Sequence, residues 1–330
     1  MRIYWSSLDD SKNDKAVMMR NYIIAAFVII VWGVTFASTR SLLLDFSALE
    51  ILMLRFAIAW FILLGIGLFE GSARRRFSFR DELLFAGMGL TGVTAYQFLE
   101  NCAIYYTNAS NVAIMVSFGP IVTAAMARVF TNDRTLSVRL VVGSFLAVCG
   151  VAMVSMNGLG EFHLRPLGDA MALAAMVSWG LYSVMVGKVN DKGYSPTTVI
   201  RKSFFWALVM MLPFVLWGMT EDGFYALDGS FSVTIDAEVN AERFGRAINW
   251  VNLGFLGLLA SAACFVLWNH ACKSLGVVRT TIGLYLTPVV GVLFAVIFLS
   301  ERLTAASILG GLVIITGVVL ANTELFRRLK

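Results

Sequence analysis

The stretch NCAIYYTNASNVAIMVSFGPIVTAAMARVFTNDR, Asn101–Arg134, recurs in altered form as NHACKSLGVVRTTIGLYLTPVVGVLFAVIFLSER, Asn269–Arg302. A constant spacing of 168 residues aligns Asn101 with Asn269, Pro120 with Pro288, Asp133 with Glu301 and Arg134 with Arg302. Each copy leaves one apolar helix, passes a short polar turn, and follows a second helix with a central proline to an acid–arginine pair. A repeat of this length marks a chain built as two halves of one design.

Composition places both halves in a bilayer. Hydrophobic residues make up 58% of the 330 residues, against about 45–50% in soluble domains. Charged residues make up 14%, against about 25%. A spanning helix needs about 20 consecutive apolar residues. Ten runs of this kind are expected: Tyr22–Thr39, Ala48–Phe69, Leu83–Tyr105, Ala109–Val129, Leu140–Met156, Gly168–Val189, Val199–Trp217, Ile248–Cys272, Thr280–Leu299 and Ala305–Ala321. The expected fold class is therefore all-α, a polytopic membrane protein. Residues 1–20 are polar and form an N-terminal cytoplasmic segment, because the apolar run after them lacks a small-residue cleavage site. The first five-helix repeat occupies 21–157 and the second 158–322, with a long polar link at 218–245 and a tail at 323–330.

Lysine and arginine set the orientation, since cytoplasmic loops are enriched in them. With the N-terminus inside, most of the 26 basic residues fall on the cytoplasmic side. They include Arg74–Arg76, Arg80, Lys188, Lys192, Lys202, Arg327 and Arg328. Both termini are then cytoplasmic and the acidic 218–245 link faces out. The net charge of +5 is a topology signal and not a nucleic-acid patch. Five spans per half is an odd number, so the second half enters the membrane inverted. Trp32-Gly33 matches Trp179-Gly180, and Arg55 with Trp60 matches Arg201 with Trp206. Inverted repeats are a signature of alternating-access carriers with a site near the midplane.

WGVTFASTR at 32–40, LRF at 54–56, ALAAMVSWGLYSVMV at 172–186, the proline pair and SERLT at 300–304 resemble the EamA family of the drug/metabolite transporter superfamily. The resemblance covers about residues 20–322. It implies two inverted five-helix bundles, a cavity lined mainly by helices 1, 3, 4, 6, 8 and 9, and metabolite export. Residues 131–135, TNDRT, depart from the SERLT of the second copy, which leaves a shared role for the acid–arginine pairs open.

Several residues are candidates for that cavity. Glu100 lies well inside the third span, where an ionisable group is costly unless it is partnered or used. It either titrates as a coupling group or stands in a fixed ion pair, with Arg55 as one partner. Asn101 and Asn269 are duplicated amides that can bind solute or bond across helices. Trp32, Tyr96, Gln97, Trp179, Tyr182 and Tyr285 lie on spans that the resemblance places around the cavity. Aromatic rings with single polar handles suit amino-acid-like solutes, although packing explains many such rings. Arg55 is a possible anion contact, or it snorkels outward or pairs with Glu50. Pro120 and Pro288 interrupt the helical ladder and are candidate hinges.

No enzyme is expected. Two histidines, His163 and His270, cannot build an intramembrane catalytic or metal centre. Cys102, Cys149, Cys264 and Cys272 lack zinc spacing. Neither a cofactor nor a metal is implied. The expected partners are a small-molecule substrate and the lipid bilayer of the cytoplasmic (inner) membrane, with the chain a monomer or homodimer. Glycines seven apart in spans five and ten mark these as scaffold or a dimer face. The expected function is a secondary transporter of an amino acid or related solute, an exporter by type. Drug or nucleotide-sugar carriers and a passive channel are the alternatives.

Overall fold

The computed structural model describes residues 2–42, 44–46, 48–70, 77–106, 109–131, 137–156, 165–218, 242–299 and 304–322. The acid–arginine pairs Asp133–Arg134 and Glu301–Arg302, His163 and most of the 218–245 link lie outside them. Among the described residues every element is helical, with no strand. The helices are α1 (Arg2–Leu42), α2 (Ala48–Phe69), α3 (Phe79–Met88), α4 (Tyr96–Tyr106), α5 (Ala109–Val116), α6 (Gly119–Phe130), α7 (Val138–Met156), α8 (Pro166–Asn190) and α9 (Pro196–Gly218). They continue as α10 (Ala247–Gly254), α11 (Cys264–Leu275), α12 (Val277–Ile282), α13 (Thr287–Leu299) and α14 (Ala305–Ala321). π-helical segments join α3 to α4 at Gly89–Ala95 and α10 to α11 at Phe255–Ala263. A 3-10 turn, Gly283–Leu286, joins α12 to α13.

Six helical stretches among the described residues are long and apolar enough to cross a membrane: Ala16–Thr35, Leu49–Phe69, Val138–Ser155, Pro166–Asn190, Ala247–Leu275 and Val277–Phe294. Ile114–Phe130 and Ala305–Ala321 are shorter apolar helices. Large apolar side chains such as Phe61, Phe145 and Ile297 are exposed on the outer surface. Hydrocarbon, unlike water, sets no penalty on them, so these helices are apolar all round rather than amphipathic.

Two features differ from the expected spans. The polar residues 2–20 continue α1 rather than preceding it, since they contain no proline or glycine to stop a propagating helix. The fourth and ninth spans are each broken. Pro120 is the second residue of α6 and Pro288 the second residue of α13. Proline is tolerated in the first turn of a helix, where its missing N–H has no intrahelical partner to lose. Each proline therefore starts a new segment instead of bending a continuous one.

Glycines set the close approaches. A Cβ on Gly150 would meet the Gly310 carbonyl at 2.6 Å, and one on Gly317 would meet the Ala147 amide at 2.6 Å. The glycine stripes of α7 and α14 thus face each other within one chain, where their backbones touch. They are not free to form a dimer face. Gly33 of α1 packs on Val290 of α13, and Gly180 of α8 packs on Val122 of α6. Gly89 packs on α9 at Ser203 and Ala207, and Gly257 packs on α2 at Ile58 and Arg55.

Polar clasps tie the two halves together at both ends. At one end Arg243 grips Glu50 through two hydrogen bonds, of 3.2 and 2.9 Å. Arg246 donates to Asp45 at 2.7 Å, and Asn249 donates to the other Asp45 oxygen at 2.7 Å. At the opposite end α3 begins on Ser78, whose hydroxyl accepts from the Asp81 amide at 3.2 Å. Asp81 in turn accepts from Lys192 and from the Tyr194 hydroxyl. Beside it Glu82 accepts from Lys202 and from the Trp206 indole. The Lys192 ammonium, helped by Ser78 and Tyr194, holds the Asp81 carboxyl well below the usual carboxylate range.

Candidate functional site

A cavity of about 280 Å³ lies between the halves, close to the lower end of the roughly 300–1,000 Å³ of small-molecule pockets. It sits toward the Asp45 end, reached by the last turns of α1, the first turns of α2 and the N-terminal half of α4. Trp32, Tyr96, Gln97, Glu100, Trp179 and Tyr285 line it. So do Arg55, Pro120 and Pro288. The wall also takes in Ile51 and Leu52 of α2 and Val151 of α7, two helices beyond the six implied by the family resemblance.

Arg55 is 7% exposed. Its Nε donates to Ser261 Oγ at 3.0 Å, and its guanidinium lies 5.1 Å from the ring of Phe56. Ser261 belongs to the π-helical segment, a widened turn of a kind common at functional sites. The sequence reading offered Glu50 as a partner for Arg55. Glu50 instead pairs with Arg243, which leaves the Arg55 charge facing the cavity. Across the cavity the Tyr96 hydroxyl donates to Glu100 Oε1 at 2.9 Å, from one helical turn earlier on α4. Arg55 and Glu100 attract each other electrostatically. Among the described residues no ion pair within 4.0 Å joins them.

Aromatic side chains form the floor. The ring of Trp32 lies 5.4 Å from Phe265, 5.1 Å from Trp268 and 6.5 Å from Trp179. Trp179 lies 5.1 Å from Tyr96. The Trp32 indole donates to the Ala260 carbonyl at 3.0 Å, again in the π-helical segment. The Trp179 indole N–H is buried without a protein acceptor, so a polar solute atom would find a donor there. Thr35 and Thr39 of α1 also face the cavity. They stand three and seven residues after Trp32, on its helical face, a periodicity that was readable in the sequence.

Two expected residues are not on this wall. Tyr182 packs behind Trp179 at 5.1 Å. Asn269 is fully buried on α11, next to Trp268. Asn101 lies on α4, and its side chain is outside the described residues. His270 follows Asn269 and is half-buried, away from the cavity.

The sequence model of the EamA-like transporter family matches residues 19–156 and again residues 166–323. The chain belongs to this family. It is a multi-pass membrane transporter, and the family model matches it twice. The chain is 28% identical over 255 residues to a "Probable terminal-alkyne amino-acid exporter" of Streptantibioticus cattleyicolor, covering 77% of each chain. It is 26% identical over 296 residues to a "Probable amino-acid metabolite efflux pump" of Escherichia coli, covering 90% of this chain and 92% of the relative. A solved crystal structure superposes with a TM-score of 0.71 at 19% identity, covering 94% of this chain and 99% of the other. That likeness concerns the fold alone.

Proposed function

We propose that this EamA transporter exports an amino acid or a closely related small zwitterion by alternating access. The observation that carries the reading is the pair of opposite charges on the wall of one cavity. Arg55, held by Ser261, suits a carboxylate. Glu100, held by Tyr96, suits an ammonium. Both are partly desolvated, so each gains more from a charged solute than it would in water. The aromatic floor of Trp32, Trp179 and Phe265 offers the apolar part of the solute a surface. The names of the two similar exporters point to the same chemistry.

The architecture we propose is ten transmembrane helices in two inverted five-helix repeats, 21–157 and 158–322. The segment 1–20, the tail 323–330 and the Asp81 end face the cytoplasm of the inner membrane. Symmetric packing supports it. Gly33 on Val290 and Gly180 on Val122 exchange places under spacings of 147 and 168 residues. The π-helical segment Gly89–Ala95 falls inside Phe255–Ala263 under the same spacing of 168. With this orientation the cavity faces outward and the cytoplasmic end is closed. An impermeant thiol reagent applied from outside should then label Asp228→Cys and spare Arg75→Cys. The reverse pattern would turn the assignment over.

The functional test is exchange in proteoliposomes with a panel of amino acids, nucleotide sugars and lipophilic cations, with and without a pH gradient. Saturable counterflow of amino acids supports the proposal. Counterflow confined to nucleotide sugars or lipophilic cations, or non-saturable flux typical of a channel, would reject it. Glu100→Gln keeps size and hydrogen bonding but cannot titrate. If Glu100 also couples a proton, exchange at equal pH persists in this variant at higher solute concentration, because the ammonium contact is weakened, and gradient-driven accumulation is lost. Accumulation that persists removes Glu100 from the coupling role.

A further inference from the structure

Beyond the aromatic floor the protein buries polar groups that it does not satisfy. Tyr182 follows Trp179 by three residues on α8, with the two ring centroids 5.1 Å apart. Asn269 follows Trp268, whose ring packs on Trp32 at 5.1 Å. Both therefore lie one step past the cavity lining, toward the Asp81 end. Tyr182 is 1% exposed and Asn269 0%. The Tyr182 hydroxyl and both polar atoms of the Asn269 amide have no hydrogen-bond partner in the protein. Thr123 of α6 is also 0% exposed, and its hydroxyl is likewise without a partner, even though a threonine within a helix can bond the carbonyl one turn back.

Tyr182 and Asn269 share one region. α8 contacts α6, α11 and α12, and α6 contacts α12. Tyr182 belongs to one core cluster with Trp179 and Trp268, the residue before Asn269. On α6, Val122 and Met126 meet Gly180 of α8, while Ala124 and Ala127 join Val278 and Ile282 of α12 in one core cluster. Thr123 stands between those two faces, on the side of α8 away from Tyr182, whose ring lies against Gly92. An unsatisfied buried polar atom is costly, and buried polar groups are nearly always paired. Two together, on helices that line a transport cavity, call for a second state in which they are paired.

We propose that Tyr182 and Asn269 form a second polar station on the solute's path, closed over in this outward-facing structure and exposed when the Asp81 end opens. The inference rests on the transport reading above and adds a location and a chemistry to it. The station offers a phenol and an amide, both neutral. Such groups hydrogen-bond the ammonium and carboxylate of a passing zwitterion without the charge that would hold it fast. Opening requires release of the Asp81–Lys192 and Glu82–Lys202 clasps, which join α3 to the turn after α8 and to α9 at that end.

The test uses the full chain in membrane vesicles, with its four native cysteines replaced by alanine. Cysteine is introduced at Tyr182, Asn269 or, as a control in the cavity, Gln97. The probe is a membrane-impermeant maleimide, so the result does not depend on knowing the solute. We expect Gln97→Cys to label from outside, and Tyr182→Cys and Asn269→Cys to label only from the cytoplasmic side. Labelling of 182 and 269 from neither side overturns the station, even where Gln97→Cys labels as expected and the transport reading stands. Labelling of 182 and 269 from outside overturns it as well. Failure at Gln97 alone counts against the outward cavity and leaves the station supported by the cytoplasmic labelling. Tyr182→Phe and Asn269→Leu provide a second readout. Each removes orphaned polar atoms at nearly constant shape, which leaves thermal stability unchanged or raised. Transport turnover should nevertheless fall about tenfold, the effect of losing one hydrogen bond of average strength in transit. A lowered melting temperature with full turnover in the surviving protein would assign these groups a structural role instead.

Discussion

Asp81 accepts a hydrogen bond from the Lys192 ammonium at one end of the bundle, and this contact has an image at the other end. There Asn249 donates to Asp45 at 2.7 Å. Asp81 and Asn249 are 168 residues apart, and Asp45 and Lys192 are 147 apart, the two spacings that relate the halves. Donor and acceptor have changed sides. In both clasps the first half supplies the carboxylate and the second half the donor. Among the described residues the two ends are thus held by related contacts, two lysine–carboxylate pairs at the Asp81 end and two arginine–carboxylate pairs at the Asp45 end.

The Asp81 clasp should make stability depend on pH. Its carboxyl is held below the ordinary value by the Lys192 ammonium first, then by Ser78 and Tyr194. A depressed folded-state pKa contributes stability that is fully present above the unfolded value near 3.9 and fades as pH falls below it. Lys192 is 41% exposed, so the contribution is that of a screened pair, about 0.2–1 kcal/mol. In detergent, Asp81→Asn should lower the melting temperature by about 1–4 °C at pH 7 and flatten its decline between about pH 4 and pH 2. A variant with the parental melting curve at both pH values would contradict this.

The glycine contacts predict a larger effect. Gly317→Ala places a methyl against the Ala147 amide at 2.6 Å, with backbone and not a flexible side chain in the way. α7 and α14 must separate, at a cost of about 1–3 kcal/mol. Gly65 of α2 has nothing within 4 Å. Gly65→Ala should be neutral or stabilising by up to about 1 kcal/mol, from helix propensity. Thermal melting of the two variants side by side checks the claim, and equal melting temperatures would refute it.

The long apolar helices were legible because lipid leaves a direct mark on composition. α2 and α14 match their expected bounds residue for residue. The cavity was legible where a polar or aromatic residue interrupts an apolar run, as at Trp32, Glu100 and Trp179. Long-range pairing was not. Glu50 stands five residues before Arg55 in the sequence, yet its partner is Arg243, at a separation of 193 residues. The π-helical segments left no readable pattern either, since a shift in hydrogen-bond register changes no side chain. With them went the place of Ser261, which anchors Arg55. Tyr182 and Asn269 lie on the expected helices but point past the cavity, because helix rotation follows from packing partners that one helix's sequence does not contain.

Pro120 and Pro288 should matter through the breaks they begin. Each opens a new segment beside the cavity, after Ser117–Phe118 in one half and the 3-10 turn Gly283–Leu286 in the other. Alanine at either position restores a backbone donor and allows the two segments to fuse. Pro120→Ala and Pro288→Ala should insert normally and transport about three- to tenfold more slowly, equivalent to roughly 0.7–1.4 kcal/mol on the barrier. Initial rates in proteoliposomes, normalised to inserted protein, decide it. Parental rates in both variants would reduce the prolines to tolerated helix starts.

The most direct measurement is competition against amino-acid counterflow by analogues that lack one charge. The solute that counterflows best is paired with its decarboxylated amine and its deaminated acid. If Arg55 and Glu100 clasp the two ends of a zwitterion, the intact amino acid competes strongly. Each analogue then competes at least about tenfold more weakly, having lost an interaction of 1.4 kcal/mol or more. Arg55→Gln should erase the preference over the amine while keeping that over the acid, and Glu100→Gln should do the reverse. Amine and acid competing as well as the amino acid itself would contradict the account.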